Sequence, residues 1–237
     1  VGGIHTLEEQ VGVRIAKGER RVSPFLVPMI MANAPGAAIS MRFGLQGPNE
    51  TICTACAAGT HALVYAARTI SWGLADAVVS GGTEHAATIT ALAGFGNMTA
   101  LSSTGVSRPF DTDRDGFIMG EGSAAFVLEE WDHAVSRGAD IVGEIVGGGS
   151  NADAYHITAP SPGGVGAIAC MNLALDDAEL SPGDIRQINA HGTSTPLNDA
   201  SEAAAVSAVF ADNPVPVVST KGVTGHALGA AGALEAV

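Results

Sequence analysis

Positive charge is scarce in this sequence. Its 237 residues carry 11 Lys and Arg against 24 Asp and Glu, a formal net charge of −13. Nucleic-acid binding relies on Lys and Arg to neutralise phosphates, so no nucleic-acid partner is expected. Cysteine is rare as well: Cys53, Cys56 and Cys170 are the only three. So small and odd a number excludes a disulfide framework and points to a reducing, cytoplasmic compartment. No apolar run is long enough to cross a bilayer, and His5, Glu8 and Glu9 interrupt the start of the chain where a secretory signal would need an apolar stretch. Charged residues are only 15% and apolar ones 46%, which excludes intrinsic disorder. A chain of this length can bury one large core or two small ones. It starts at Val1 rather than Met and stops inside an apparent helix with no terminator, the pattern of a piece of a longer protein.

Two signals alternate along the chain. Short apolar runs read as strands at Glu50–Ala55, Asp76–Ser80, Gly122–Glu129, Ile141–Val146, Ile185–Ala190 and Val215–Ser219. Ala-rich runs read as helices at Ala57–Trp72, after Gly81-Gly82 through Ala93, at Trp131–Arg137, Val165–Asp177 and Asp199–Phe210. Ser181-Pro182-Gly183-Asp184 has the cap, proline and acid of a helix start. Leu101–Gly116 and Asn151–Gly164 lack periodicity and read as loops. The alternation predicts an α/β fold with largely buried sheets.

Three clusters could do chemistry. In Thr54-Ala55-Cys56-Ala57-Ala58-Gly59 a cysteine stands where a strand gives way to a helix. Unpaired N–H groups and the helix dipole favour a thiolate there, and a thiolate is the nucleophilic form. A buried structural thiol is the alternative. Cys53 makes a C-x-x-C spacing, but no second pair exists for zinc, and three residues along a strand put the two side chains on opposite faces. No metal is expected. In Asn189-Ala190-His191-Gly192-Thr193-Ser194-Thr195-Pro196 a histidine ends a strand and is followed by hydroxyls, which serve either a ligand or a helix cap. In Ser219–Gly229, Lys221 and His226 stand five apart in a glycine-punctuated loop. A Lys among small and apolar residues must find a partner or shift its pKa, and Glu235 is the candidate partner.

In this order and composition the chain resembles the β-ketoacyl-[acyl-carrier-protein] synthases, the condensing enzymes of the KAS I/II type and most closely the synthase II group. The resemblance rests on TACAAG around Cys56, GGTE at Gly81–Glu84, SRPFDTDRDGF at Ser107–Phe117, NAHGTSTPLND at Asn189–Asp199 and STKGVTGHALGAAGALE at Ser219–Glu235. It implies a thiolase-like five-layer αβαβα fold of two similar halves, truncated at both ends. Residues 1–139 would be the latter part of the N-terminal half and 140–237 the first part of the C-terminal half.

The resemblance also implies roles. Cys56 would take an acyl chain from acyl carrier protein as a thioester. Malonyl-carrier protein would lose CO₂, and the resulting carbanion equivalent would attack that thioester. His191 and His226 would donate N–H groups to the developing enolate. Lys221 would organise the site, with Glu235 orienting the Lys/His region and Asp199 structural. Thr193 and Thr195 would contact the phosphopantetheine arm, Phe95 would line the acyl pocket, and Arg20 and Arg21 would face the carrier. No cofactor of the protein's own is implied, and the family forms homodimers. Thr99 departs from the basic residue of many relatives, and the loop after Leu101 is shorter than theirs. A type II polyketide ketosynthase is the nearest alternative. A chain-length-factor-like partner subunit would lack Cys56. Thiolases would need a second active-site cysteine, and Cys170 has no suitable motif around it.

Overall fold

Small residues decide how closely this chain can pack. The computed structural model describes residues 1–237. The helices, in chain order, are α1 (Ile4–Lys17), α2 (Leu26–Ile30), α3 (Ala34–Phe43), α4 (Ala58–Ser71), α5 (Ile89–Asn97), α6 (Trp131–Ser136), α7 (Val165–Asp177), α8 (Pro196–Val209), α9 (Lys221–Thr224) and α10 (Ala231–Glu235). The strands are β1 (Ala77–Glu84), β2 (Gly122–Glu129), β3 (Ile188–Asn189) and β4 (Val217–Val218). No helix is long and apolar enough to cross a membrane. The elements sort into two compact units, each built from separate stretches of chain.

The first unit holds residues 1–94, 120–141 and 227–237. There β1 and β2 pair antiparallel, from Ala77 opposite Glu129 to Glu84 opposite Gly122. One face of this ribbon packs on α4 and α10. Ser80 on that face donates its hydroxyl to the Ala62 carbonyl of α4 at 3.0 Å. The backbones come together where side chains are missing. A Cβ on Gly59, in the first turn of α4, would sit 2.5 Å from the Ala233 nitrogen of α10. A Cβ on Gly232 would sit 2.5 Å from the Thr60 nitrogen.

The second unit holds residues 95–119 and 142–226. Here β3 and β4 pair parallel, with Ile188 beside Val217 and Asn189 beside Val218. The Ala190 N–H continues the ladder to the Val218 carbonyl at 2.7 Å. Helix α7 packs along α8. The carboxyl ends of β3 and β4 lie side by side and feed directly into His191 and Lys221, the strand ends at which α/β sheets present ligand-binding groups.

Several sequence expectations are corrected. Residues 50–54 and 141–146 form no strand, and Ala55 already belongs to a 3₁₀ turn. A strand needs a neighbour for its backbone groups, and an apolar run alone does not supply one; Val142, Ile145 and Val146 stand exposed. The Gly81-Gly82 pair does not end β1 but lies inside it, because a Cβ on Gly82 would press to 3.1 Å from the Ala230 Cα. The helix expected just after Gly81-Gly82 therefore begins only at Ile89. The Ser181 signal does form its capping interaction, with the Asp184 carboxylate accepting the Ser181 N–H at 2.9 Å, but it closes a single 3₁₀ turn before β3 rather than a helix.

Two glycines make opposite predictions. Gly12 lies within α1 with nothing within 4 Å of a Cβ, so Gly12→Ala should stabilise by up to about 1 kcal/mol through helix propensity. Gly59→Val should destabilise by about 1–3 kcal/mol, because overpacking outweighs propensity there. Urea unfolding midpoints of the two variants check both signs.

Candidate functional site

In the first unit, Cys56 lies in a 3₁₀ turn, Ala55–Ala57, that runs straight into α4. The thiol is half-buried. Ala55 adopts a left-handed φ of 51°, uncommon for a residue with a Cβ. Such strained turns recur at functional positions. The segment around Gly229 lies against this turn, a Cβ there meeting the Ala55 carbonyl at 3.8 Å and a Glu84 carboxylate oxygen at 3.1 Å. Cys53 is exposed, and none of the three cysteines forms a disulfide. Cys170 lies half-buried on α7, where burial pushes its thiol pKa up, away from nucleophilic character. Glu235 ends α10 and is half-buried.

In the second unit, His191, Lys221 and His226 come together. Lys221 is 1% exposed and opens α9. Its Nζ stands 3.4 Å from His191 Nδ1. The His226 ring, 4% exposed, meets the His191 ring edge to face, with centroids 5.2 Å apart at 86°. Burial pushes the His191 pKa down to about 3, with the Lys221 charge and then His226 adding to the effect. Burial and then Lys221 do the same to His226, also to about 3. Both imidazoles are therefore neutral at neutral pH. An ammonium can only donate, so His191 Nδ1 accepts from Lys221 and the ring proton resides on Nε2. That leaves His191 with an Nε2–H donor.

The remaining expected residues are placed as follows. Thr193, buried, and Thr195, half-buried, join hydroxyl to hydroxyl at 2.8 Å. Asp199, 1% exposed in the first turn of α8, accepts the Phe110 N–H at 2.7 Å and lies 3.7 Å from Arg114 Nε. Phe95, at the end of α5, packs edge to face on Phe117 with centroids 5.3 Å apart. Arg20 and Arg21 are exposed in the first unit, in a 3₁₀ turn after α1, and Arg21 lines an open cleft with Val13 and Lys17.

Two residues escaped the sequence reading. Glu202 on α8 accepts the main-chain N–H groups of His191 and Gly192, each at 2.7 Å, and so fixes the backbone that carries the imidazole. Its signal was faint: it stands four residues after Asn198 on one helix face and shares a hydrogen bond with it. Phe117 is buried and packs its ring against His226, with centroids 5.4 Å apart at 75°. Only its place at the end of the SRPFDTDRDGF motif marked it.

Comparison with known proteins assigns this arrangement to a class. Residues 1–134 match the β-ketoacyl synthase N-terminal domain and residues 142–237 the β-ketoacyl synthase C-terminal domain. The chain belongs to the β-ketoacyl synthase family. It is 46% identical over 244 residues to the 3-oxoacyl-[acyl-carrier-protein] synthase 2 of Synechocystis sp., covering all of this chain and 59% of that protein. It thus spans less than two thirds of the length of such a relative. Among solved structures, a β-ketoacyl synthase from Burkholderia phymatum superposes with a TM-score of 0.92 at 36% identity, over 99% of this chain and 58% of that one. A type II polyketide ketosynthase, solved with its acyl-carrier protein and bound to a hexaketide, superposes with a TM-score of 0.94 at 33% identity, over 99% and 60%. The fold is the thiolase-like α/β fold of these ketosynthases.

The neutral state of both histidines has a thermodynamic consequence. Each has a folded pKa below its ordinary value of 6.5, so the unfolded chain takes up protons that the folded chain refuses. Their contribution to stability is complete above about pH 6.5 and is lost as the pH falls through about 3. Within that window each ring should contribute a slope of up to about 1.4 kcal/mol per pH unit. Denaturant unfolding between pH 7 and 4 should show stability falling with pH, and His226→Gln should flatten the slope.

Proposed function

We propose that the chain carries the reactive groups of a β-ketoacyl-[acyl-carrier-protein] synthase that elongates fatty acyl chains. The observation that carries this reading is the pair of neutral imidazoles beside Lys221, His226 buried and His191 half-buried. Cys56 at the start of α4 is the nucleophile. Its thiolate attacks the acyl thioester carbonyl, and the phosphopantetheine thiol of the carrier leaves. Malonyl-carrier protein then loses CO₂, and the electron pair of the broken C–C bond passes into a thioester enolate. His191 and His226 stabilise that enolate by N–H donation, a task that suits neutral imidazoles in a water-poor site. The enolate carbon attacks the Cys56 thioester, a new C–C bond forms, and the Cys56 thiolate is expelled. The product is a β-ketoacyl chain two carbons longer on the carrier.

Thr193 and Thr195 bind the phosphopantetheine arm, Phe95 borders the acyl chain, Glu235 and Asp199 support the reactive groups, and Arg20 and Arg21 receive the acidic carrier. The reaction needs no metal or cofactor of the protein's own. It takes place in the cytoplasm, in a homodimer. Identity of 46% with a 3-oxoacyl-[acyl-carrier-protein] synthase 2 supports the fatty-acid assignment. The fit to a polyketide ketosynthase favours a second reading, in which the acyl chain is a poly-β-ketone.

Intact mass after incubation with a saturated acyl-carrier protein tests the nucleophile. An acyl adduct should form on the chain and not on Cys56→Ser. Absence of an adduct on a folded chain contradicts the assignment, and an adduct formed only from a poly-β-ketoacyl carrier selects the second reading. His226→Ala should retain the adduct and lose about 10²–10³-fold in malonyl decarboxylation, the usual cost of removing one such donor. Release of labelled CO₂ from malonyl-carrier protein measures it.

A further inference from the structure

The condensation as described uses no residue of the segment Ser107–Phe117, yet in the second unit this segment touches each reactive stretch. Ser107 donates its hydroxyl to the Lys221 carbonyl at 2.7 Å. The Arg108 N–H donates to the Ser194 hydroxyl at 2.9 Å, three residues beyond His191. Phe117 walls His226, and the neighbouring Ile118 carbonyl accepts the His226 main-chain N–H at 2.7 Å.

One carboxylate closes the loop that leads to Phe117. Asp115 accepts from the Ser102 hydroxyl at 2.6 Å, the Ser103 hydroxyl at 2.8 Å, the Ser103 N–H at 2.9 Å, the Thr104 N–H at 3.0 Å and the Thr104 hydroxyl at 3.2 Å. Arg108 backs the group: its Nη2 donates to the Thr104 hydroxyl at 2.8 Å and lies 3.9 Å from Asp115. These donors, led by Ser102, hold the Asp115 carboxyl well below the usual carboxylate range. Just beyond, the chain is pinned on both sides. The Gly116 N–H donates to the Ser194 carbonyl at 3.0 Å, the Phe117 N–H to Ala100 at 3.0 Å, and the Ser102 N–H to Phe117 at 2.9 Å. Gly116 has no room for a side chain, since a Cβ would lie 2.4 Å from the Leu101 carbonyl carbon. The position of Phe117 is thus fixed by the closure of residues 102–115 on Asp115.

We propose that Asp115 is a positioning residue for His226: by closing residues 102–115 it holds the Phe117 ring and the Ile118 carbonyl where they fix the imidazole. The catalytic consequence rests on the condensing role assigned to His226 above; the positional one does not. The site demands an all-acceptor group. Asn would turn an NH₂ toward donors, whereas Glu keeps both oxygens. Displacing a reacting group by about 1 Å can cost on the order of 100-fold in rate.

The test compares the chain with Asp115→Asn, Asp115→Glu and the double variant Ser102→Ala/Ser103→Ala. The first readout is the His226 imidazole resonance, assigned by its absence in His226→Ala, with circular dichroism as the check on folding. The second is the rate of malonyl decarboxylation set against the rate of Cys56 acylation. In Asp115→Asn the His226 resonance should move and decarboxylation should fall by about 10- to 100-fold, with acylation kept within about two-fold and partial recovery in Asp115→Glu. If Asp115→Asn does not fold, the double serine variant carries the same expectation at smaller amplitude. An unmoved His226 resonance in a folded variant overturns the proposal, as does equal loss of acylation and decarboxylation. Absence of decarboxylation in the unsubstituted chain would instead count against the condensing role, and the resonance would still decide the positioning claim.

Discussion

A lysine ammonium withdrawn from water beside two imidazoles is the constraint on which the second unit depends. Removing an ammonium from solvent costs several kcal/mol and is tolerated only with partners in place. His191 Nδ1, 3.4 Å from Lys221 Nζ, is such a partner. The cost has a return. A cation held this close forbids a second positive charge, so it reinforces what burial already does to both rings. The histidines become fixed neutral donors rather than acids poised near pH 7. Donors of that kind favour charge that develops during a reaction, not charge already present.

The geometry around this group is held mostly by backbone. Glu202 grips two N–H groups at His191 and Gly192. Ile118 grips the N–H of His226. Asp199 grips the N–H of Phe110. Each carboxylate or carbonyl fixes a main-chain position. In the first unit the same end is reached by omission. Gly59, Gly82 and Gly232 carry no side chain where backbones approach, and this lets the turn at Cys56 settle at the start of α4.

Much of this was legible in the sequence, and the failures have physical causes. Helix α7 and strand β2 were read with their observed bounds, because their patterns are long and local. The strands expected at residues 50–55 and 141–146 failed because an apolar pattern says nothing about a pairing partner, and at Val142, Ile145 and Val146 the apolar side chains stand exposed. Lys221 was conspicuous since cations are scarce and its neighbours are small. The family followed from motifs in register. Glu202 and Phe117 were missed for a common reason. One acts on backbone atoms eleven residues away, and the other contributes only the face of a ring. Neither role leaves a residue pattern that periodicity or charge counting can detect.

The central claim is that both imidazoles are neutral, with the His191 proton on Nε2. Nitrogen-15 NMR of histidine-labelled chain across pH 8 to 4, with His191→Gln and His226→Gln spectra for assignment, tests it directly. The account predicts neutral nitrogen shifts for both rings throughout that range and an Nε2–H tautomer for His191. A ring that gains its second proton near pH 6.5, or a His191 proton on Nδ1, would contradict it.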